Sequence, residues 1–265
     1  MTETAPAGSE RSATKPRWPR IILISLAILL VLLVVAFFVA ERLVRSYAEG
    51  LVKDKIVSAL SLPSDDGIAV DLGSGYLLLQ ALGGSLDSFQ VDIADVTVGE
   101  LSGSAVVTAT SVPLDTSAPV ESADIQFRVN EEQLTAISSS LSELPIESVT
   151  LEGDEIRIGA TLALYALSVP VTVGLLPGAA DGDIQFTPQS IALANTTITA
   201  DQLRDGVFGQ FTEPLLAAQS ICVASELPAA LTLTDVRVDG SQLLVELDGT
   251  GAVIDDLATK GTCPA

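Results

Sequence analysis

The sequence predicts an α+β protein in which a single transmembrane helix precedes a domain of helices and antiparallel strands. Three observations support this fold class. An apolar run occupies residues 21–40, a segment with helical periodicity follows it, and much of the remaining chain alternates apolar with polar residues. A period of two is typical of strands with one buried and one solvated face, so most of the domain is expected to be sheet.

The apolar run from Ile21 to Ala40 contains no charge, no amide, no Gly and no Pro. At about 1.5 Å per residue, a helix of this length spans roughly 30 Å, the hydrocarbon thickness of a bilayer. A cleaved signal peptide is the alternative, but its apolar region usually has about 7 to 15 residues before a small-residue cleavage site. In this sequence the bulky residues Phe37 and Phe38 occupy the position where such a site would need small residues. The run therefore favours a retained single-pass anchor.

The charge distribution indicates the orientation in the membrane. Residues Met1–Arg20 are rich in Ser, Thr, Ala and Pro, which predicts a disordered tail, and their four basic and two acidic residues favour the cytoplasmic side. Subtracting them from the totals of 13 and 34 leaves 9 basic and 32 acidic residues, a net charge of −23. A surface this negative repels phosphate backbones, so we expect no nucleic acid partner. Residues 41–265 are predicted to form one extracytoplasmic domain at the cell membrane.

The two cysteines, Cys222 and Cys263, both fall in the predicted outer domain. An even number of cysteines in an oxidising compartment indicates a disulfide. Closing a loop of about 40 residues would contribute roughly 4 kcal/mol in the chain-entropy model. A pair of unbonded buried thiols is the alternative.

Helical periodicity predicts three helices beyond the membrane. Apolar residues recur at spacings of mostly three and four from Glu41 to Leu62, which continues the membrane helix outward, and Gly50 is a point where it could break. Two further helices are expected at Glu131–Leu144 and Pro214–Leu227. Each of the three ends in a Leu-Pro pair: Leu62-Pro63, Leu144-Pro145 and Leu227-Pro228. This suggests a repeat of helix, Leu-Pro and curved antiparallel strands, although a match this short also arises by chance.

Strands are predicted wherever apolar and polar residues alternate. The alternating segments are Phe89–Val98, Ala123–Val129, Ile156–Leu164 and Leu167–Leu175. The first slips by one residue at Asp95, which is the effect of a β-bulge. Gly153-Asp154 and Asp239-Gly240 separate paired runs and predict hairpins, and turns are also expected at Asp65-Asp66-Gly67 and Asp181-Gly182-Asp183.

The residues that usually carry catalysis are missing from the sequence. There is no His, the commonest general base and metal ligand, and no phosphate-binding Gly-rich loop, nucleophile elbow or Cys cluster. Carboxylate pairs such as Asp255 with Asp256 arise freely in so acidic a chain. We therefore expect a protein that is not an enzyme, with no catalytic residues, no metal and no cofactor.

Apolar side chains are most concentrated at Tyr76–Leu82, directly before Gly83-Gly84. This run is too short to span a membrane and too apolar for one face of a solvated strand. One interpretation is a central strand or helix that is buried on both sides. The other is a strand in a curved sheet around helices, where an apolar groove accepts acyl chains. The groove residues would then be Tyr76, Leu77, Leu79, Leu82, Phe89, Val91 and Ile93.

Several stretches resemble the actinobacterial LmeA-type phospholipid-binding family. They are Ile56–Leu60, Leu62-Pro63, Gly75–Ser88, Leu227–Leu231, Asp235–Val238 and Leu243–Leu247. The most specific piece is Leu78–Gly84, and the resemblance extends over about Glu41 to Gly251. It implies an extracytoplasmic protein that binds phospholipids and is linked to the assembly of mannan-bearing glycolipids in the envelope.

The same family is similar to the tubular lipid-binding superfamily, which implies long helices wrapped by a strongly curved antiparallel β-sheet. The expected ligands are phospholipid acyl chains and the expected setting is the cell membrane, whereas no protein partner is predicted. The expected role is lipid or glycolipid handling in the cell envelope. A structural or adhesive envelope domain without a ligand cavity is the alternative.

Overall fold

Antiparallel β-sheet makes up most of the domain, as the alternating segments predict. The structure is a computed structural model that describes residues 18–60, 62–98, 101–141, 146–164, 167–193, 196–205 and 216–263. It is an α+β fold with one long N-terminal helix and two antiparallel sheets. The chain divides into two units, Met1–Val44 and Arg45–Ala265.

The described residues form four α-helices and twelve strands. The helices are α1 Trp18–Leu60, α2 Leu77–Gly83, α3 Glu131–Leu141 and α4 Ala200–Arg204. The strands are β1 Ile68–Asp71, β2 Ser85–Val98, β3 Leu101–Pro113, β4 Ser122–Asn130, β5 Ile146–Glu152, β6 Glu155–Leu164, β7 Leu167–Ala180, β8 Asp183–Leu193, β9 Thr196–Thr199, β10 Gln219–Ile221, β11 Thr232–Asp239 and β12 Gln242–Asp248. Only α1 is long among them, which corrects the expectation of several long helices.

The first unit contains the N-terminal part of α1. From Leu26 onward the helix is long and apolar enough to cross a membrane, a property that a signal sequence near an N-terminus shares. Its large apolar side chains, such as Leu32 and Leu33, are exposed. Residues 1–17 of the predicted tail lie outside the described residues. Residues 18–20 are helical, so the helix begins before the predicted start at Ile21.

In the second unit, the end of α1 packs against the first sheet through Val52, Ile56 and Val57. The helix runs through Gly50 without the break considered above. Three of the apolar residues that give this segment its predicted helical periodicity, Tyr47, Leu51 and Leu60, remain exposed. The predicted apolar stripe of this segment is therefore covered in part, at Val52 and Ile56.

The first sheet has the strand order β1-β2-β3-β4-β12-β11, with antiparallel neighbours throughout. The register of β2 against β3 shifts between Ile93 and Val96, which confirms the predicted bulge. The inner face of this sheet, meaning the face that packs on α1, carries a buried apolar cluster. Its buried members are Ile68, Val91, Ile93, Val96, Ala105, Phe127 and Val129.

The second sheet has the order β10-β8-β7-β6-β5, and β9 also pairs with β8. The predicted turns are present: Gly153 joins β5 to β6 and Gly240 joins β11 to β12, both with φ of 65°. A second buried cluster joins the two sheets, with members from β5, β6, β11 and β12. Helix α3 covers the edge of β5, where Glu131 accepts a hydrogen bond from the Leu151 amide at 2.6 Å.

The predicted third helix, Pro214–Leu227, is wrong over its described part. Residues 216–227 contain no helix, and Gln219–Ile221 instead forms β10, with Ser220 opposite Gln185 of β8. The segment Ile221-Cys222-Val223 has low helix propensity. Pairing of β10 with β8 also gives hydrogen-bond partners to backbone N–H and C=O groups of β8 that would otherwise lack them. The proposed repeat therefore lacks its third unit. The Leu-Pro pair at 144–145 lies outside the described residues.

The predicted disulfide is present between Cys222 and Cys263, with a Cα–Cα distance of 5.8 Å. The C-terminal segment runs beside residues 224–229. The Ala229 amide donates to the Thr259 carbonyl at 2.8 Å, and the Gly261 amide donates to the Leu227 carbonyl at 3.0 Å. The bond thus ties the C-terminal segment to the end of β10 rather than to a helix.

Removing this disulfide with Cys222→Ser and Cys263→Ser should lower the free energy of unfolding by about 2 to 4 kcal/mol, because the unfolded chain regains the freedom of the closed loop. Denaturant titration of the oxidised protein and the double variant measures the difference. A reductant should destabilise the original protein and leave the double variant unchanged. Rapid alkylation of both cysteines in the native, unreduced protein would contradict the bond.

Candidate functional site

Three predicted groove residues lie together on the inner face of the first sheet. Val91 is 2% exposed and lies between Val70 of β1 and Val107 of β3. Ile93 is 7% exposed, and Phe89 is half-buried against the same cluster. Alternation along β2 directs all three inward, as the pattern predicts. The inner face of the sheet is thus almost completely shielded from solvent at Val91 and only partly shielded at Phe89.

The other four groove residues lie on or beside α2, which corrects the expectation of a strand there. Leu77 is 3% exposed, whereas Tyr76, Leu79 and Leu82 are 46%, 55% and 86% exposed. Positions three apart share one face of a helix, so the buried and exposed residues form two separate faces. Gly84, with φ of 82°, ends the helix in the left-handed conformation. The run is therefore neither a strand nor a helix buried on both sides.

Arg45 holds the loop that leads into α2, and sequence reasoning missed this residue. Its Nη1 donates to the Gly73 carbonyl and its Nη2 to the Gly75 carbonyl, both at 2.7 Å. A side chain at either glycine would collide with a neighbour: an added Cβ would lie 2.1 Å from Ser88 Oγ at Gly73 and 2.0 Å from Gln80 Nε2 at Gly75. The two glycines of Gly73-Ser74-Gly75 are the sequence feature from which such close packing of the backbone could have been predicted.

The outer face of the first sheet carries a network of charged and polar side chains. Arg237 of β11 donates hydrogen bonds to Glu246, at 2.8 Å, and to Asp235, and these carboxylates raise the pKa of its guanidinium above the usual value. Gln126 lies between Arg128 and Glu246 in the same network. Because charged groups are costly to take out of water, the apolar inner face is the better candidate for contact with an acyl chain.

An open depression of about 410 Å³ lies over β1, β2 and β3. Its volume falls within the range of small-molecule pockets. It is lined by Gly67, Ile68, Ala69, Asp92, Ile93, Ala94, Ser104, Ala105 and Val106. Ile93 is the one predicted groove residue in this lining, so the depression is separate from the surface around Phe89 and α2.

Comparison with protein families decides the class of the protein. Residues 39–248, more than half of the chain, match the family described as LmeA-like phospholipid-binding. The chain belongs to this family. The matched range contains α2 and every strand of both sheets, so membership in the LmeA-like family covers the whole surface described above. Comparisons with curated proteins and with solved structures gave no match.

The two faces of α2 predict opposite responses to one substitution. Leu77→Trp should overpack a buried site and lower the free energy of unfolding by about 1 to 3 kcal/mol. Leu79→Trp, at an exposed position, should change it by less than about 0.5 kcal/mol. Thermal unfolding of both full-length variants in detergent measures the contrast. Equal destabilisation by the two substitutions would show that the assignment of the faces is wrong.

Proposed function

We propose that this chain is a non-enzymatic, single-pass membrane protein whose extracytoplasmic unit binds phospholipid acyl chains. The observation that carries the proposal is the incompletely covered apolar face of the first sheet in a member of the LmeA-like phospholipid-binding family. Its cellular role would be lipid or glycolipid handling in the envelope of an actinobacterium. The first part of α1 would be the anchor.

The acyl chain would lie on the inner face of the first sheet, beside α1. Val70, Phe89 and Val107 are half-buried there, around the fully buried Val91. An acyl chain along these side chains removes their remaining apolar surface from water, which favours binding by about 25 cal/mol per Å². In this proposal the sheet curves strongly around α1 and the curvature forms the wall of the groove. Tyr76, Leu79 and Leu82 would lie at its mouth.

Charge and cysteine chemistry support placing this unit outside the cytoplasm. The basic residues of the head favour the cytoplasmic side, and the rest of the chain carries a net charge of −23 by the count above. A disulfide between Cys222 and Cys263 persists in an oxidising compartment. Both features agree with an N-terminus inside and a domain outside.

One observation favours the alternative, a structural or adhesive domain. Val91 and Ile93 are already packed with 2% and 7% of their surface exposed, so the centre of the inner face is filled without a ligand. The alternative therefore predicts that substitutions at the half-buried residues Val70, Phe89 and Val107 change the stability of the fold and do not change phospholipid binding.

A matched pair of phenylalanines separates the two functions. Phe89 is half-buried on the first cluster, and Phe186 is half-buried on the second. Phe89→Gln should lower phospholipid retention roughly tenfold, equivalent to about 1.4 kcal/mol, because an acyl chain loses an apolar contact. Phe186→Gln should cost similar stability and leave retention unchanged. Native mass spectrometry of full-length protein released from micelles counts the bound phospholipids.

Lipids that surround the anchor helix would be retained equally by both variants, so the ratio between them is the informative quantity. Equal retention in the two variants, or no lipid-sized adduct in the original protein, would refute the groove.

Topology has its own test in reporter fusions at the C-terminus. Alkaline phosphatase, which folds only in an oxidising compartment, should be active when fused after Ala265, because the domain is expected outside. A fluorescent reporter restricted to the cytoplasm should stay dark at the same position. The reverse pattern would place the domain inside.

A further inference from the structure

Large apolar side chains are exposed together on and beside α2. Tyr76, Leu79 and Leu82 are joined by Leu114, which is 49% exposed and whose amide donates to the Gly84 carbonyl at 2.9 Å. We call these four residues the α2 face. A contiguous exposed apolar surface on a soluble domain commonly marks a binding surface.

Three residues of the α2 face, Tyr76, Leu79 and Leu82, fall in a stretch without charge, whereas the fourth, Leu114, is followed by the exposed Asp115. Residues Leu72–Leu86 contain no acidic or basic side chain, although the chain as a whole has 34 acidic residues. Asp71 and Asp87 mark the two ends of this stretch. An apolar, uncharged surface can enter the boundary between headgroups and acyl chains at a depth of about 5 to 10 Å.

The chain itself limits how far this surface can move from a membrane. Ala40 ends the apolar run and Arg45 follows five residues later, so the intervening chain spans at most about 18 Å even when fully extended. Arg45 in turn holds the Gly73 and Gly75 carbonyls at 2.7 Å, directly before Tyr76. A membrane anchor that ends at Ala40 therefore leaves only a short length of chain between the bilayer and the residue that holds the loop leading into α2.

We propose that the α2 face inserts into the outer interfacial layer of the bilayer in which the chain is anchored. The inference rests on the proposed membrane anchor. It also deepens the proposed function, because β2 starts one residue after Gly84 and reaches Phe89 in about 13 Å. The incompletely covered end of the groove thus opens at the bilayer, and an acyl chain passes from the membrane to Phe89 without crossing water.

Depth-dependent fluorescence quenching tests this insertion in the full-length protein. Trp18, the single tryptophan of the chain, is replaced by Phe, and one tryptophan is introduced by Leu82→Trp or by Leu79→Trp. The matched control is Thr97→Trp, an exposed position twelve residues from Ser85, which is roughly 40 Å as measured along β2. Each variant is reconstituted into phosphatidylcholine vesicles with and without lipid brominated near the headgroup.

Bromolipid should remove at least half of the emission of the Leu82→Trp and Leu79→Trp variants and leave that of the Thr97→Trp variant almost unchanged. Emission at short wavelength without quenching would mean that protein, such as a second copy of the chain, covers the α2 face, and this overturns the proposal. Emission at long wavelength without quenching would mean that water covers it, with the same consequence.

Flotation of the vesicles after an alkaline wash separates this inference from the anchor. Protein that floats and shows no quenching retains the anchor and overturns the insertion alone. Protein that does not float overturns both, because the insertion depends on the anchor. Phospholipid retention by the Phe89→Gln variant tests the groove independently of either result.

Discussion

Packing of Val52, Ile56 and Val57 against the inner face of the first sheet is the interaction on which the rest of the domain depends. An antiparallel sheet with one apolar face is stable only when another element covers that face. Helix α1 covers β1 to β4, whereas the second sheet covers β11 and β12 through the second cluster. Two different elements, α1 and the second sheet, thus cover different parts of one apolar face, and the solvent exposure of this face varies along the sheet.

This unequal coverage connects stability with ligand binding. Complete packing, as at Val91, leaves no apolar surface for a ligand, and incomplete packing, as at Phe89, leaves some exposed to water. A protein that binds acyl chains on such a face forgoes part of the hydrophobic stabilisation when it is empty. The disulfide between Cys222 and Cys263 lies on segments beside the second sheet and adds stability without covering this face.

Local patterns predicted the parts of the fold that depend on neighbouring residues. Alternation located the strands and the inward side of Phe89, Val91 and Ile93, glycines located the hairpins, and a slip of one residue located the bulge. The predictions are wrong where residues distant in sequence determine the local structure. Strand β10 forms because it pairs with β8, about 35 residues away in the chain, and the loop that leads into α2 is held by Arg45. Alternation also cannot reveal how completely a helix covers an inward face.

The distribution of charged and exposed apolar side chains bears on the proposed insertion of the domain into a membrane. The outer face of the first sheet carries the network around Arg237 and Glu246, which stays hydrated and resists entry into an apolar layer. The stretch Leu72–Leu86 has no charge to keep in water and exposes apolar side chains. Insertion through the α2 face would leave this network in solvent, whereas insertion through the outer face would desolvate it. In the proposed insertion, the electrostatic cost of burying the outer face and the apolar gain at α2 therefore favour the same orientation, with the Phe89 end of the proposed groove toward the lipid.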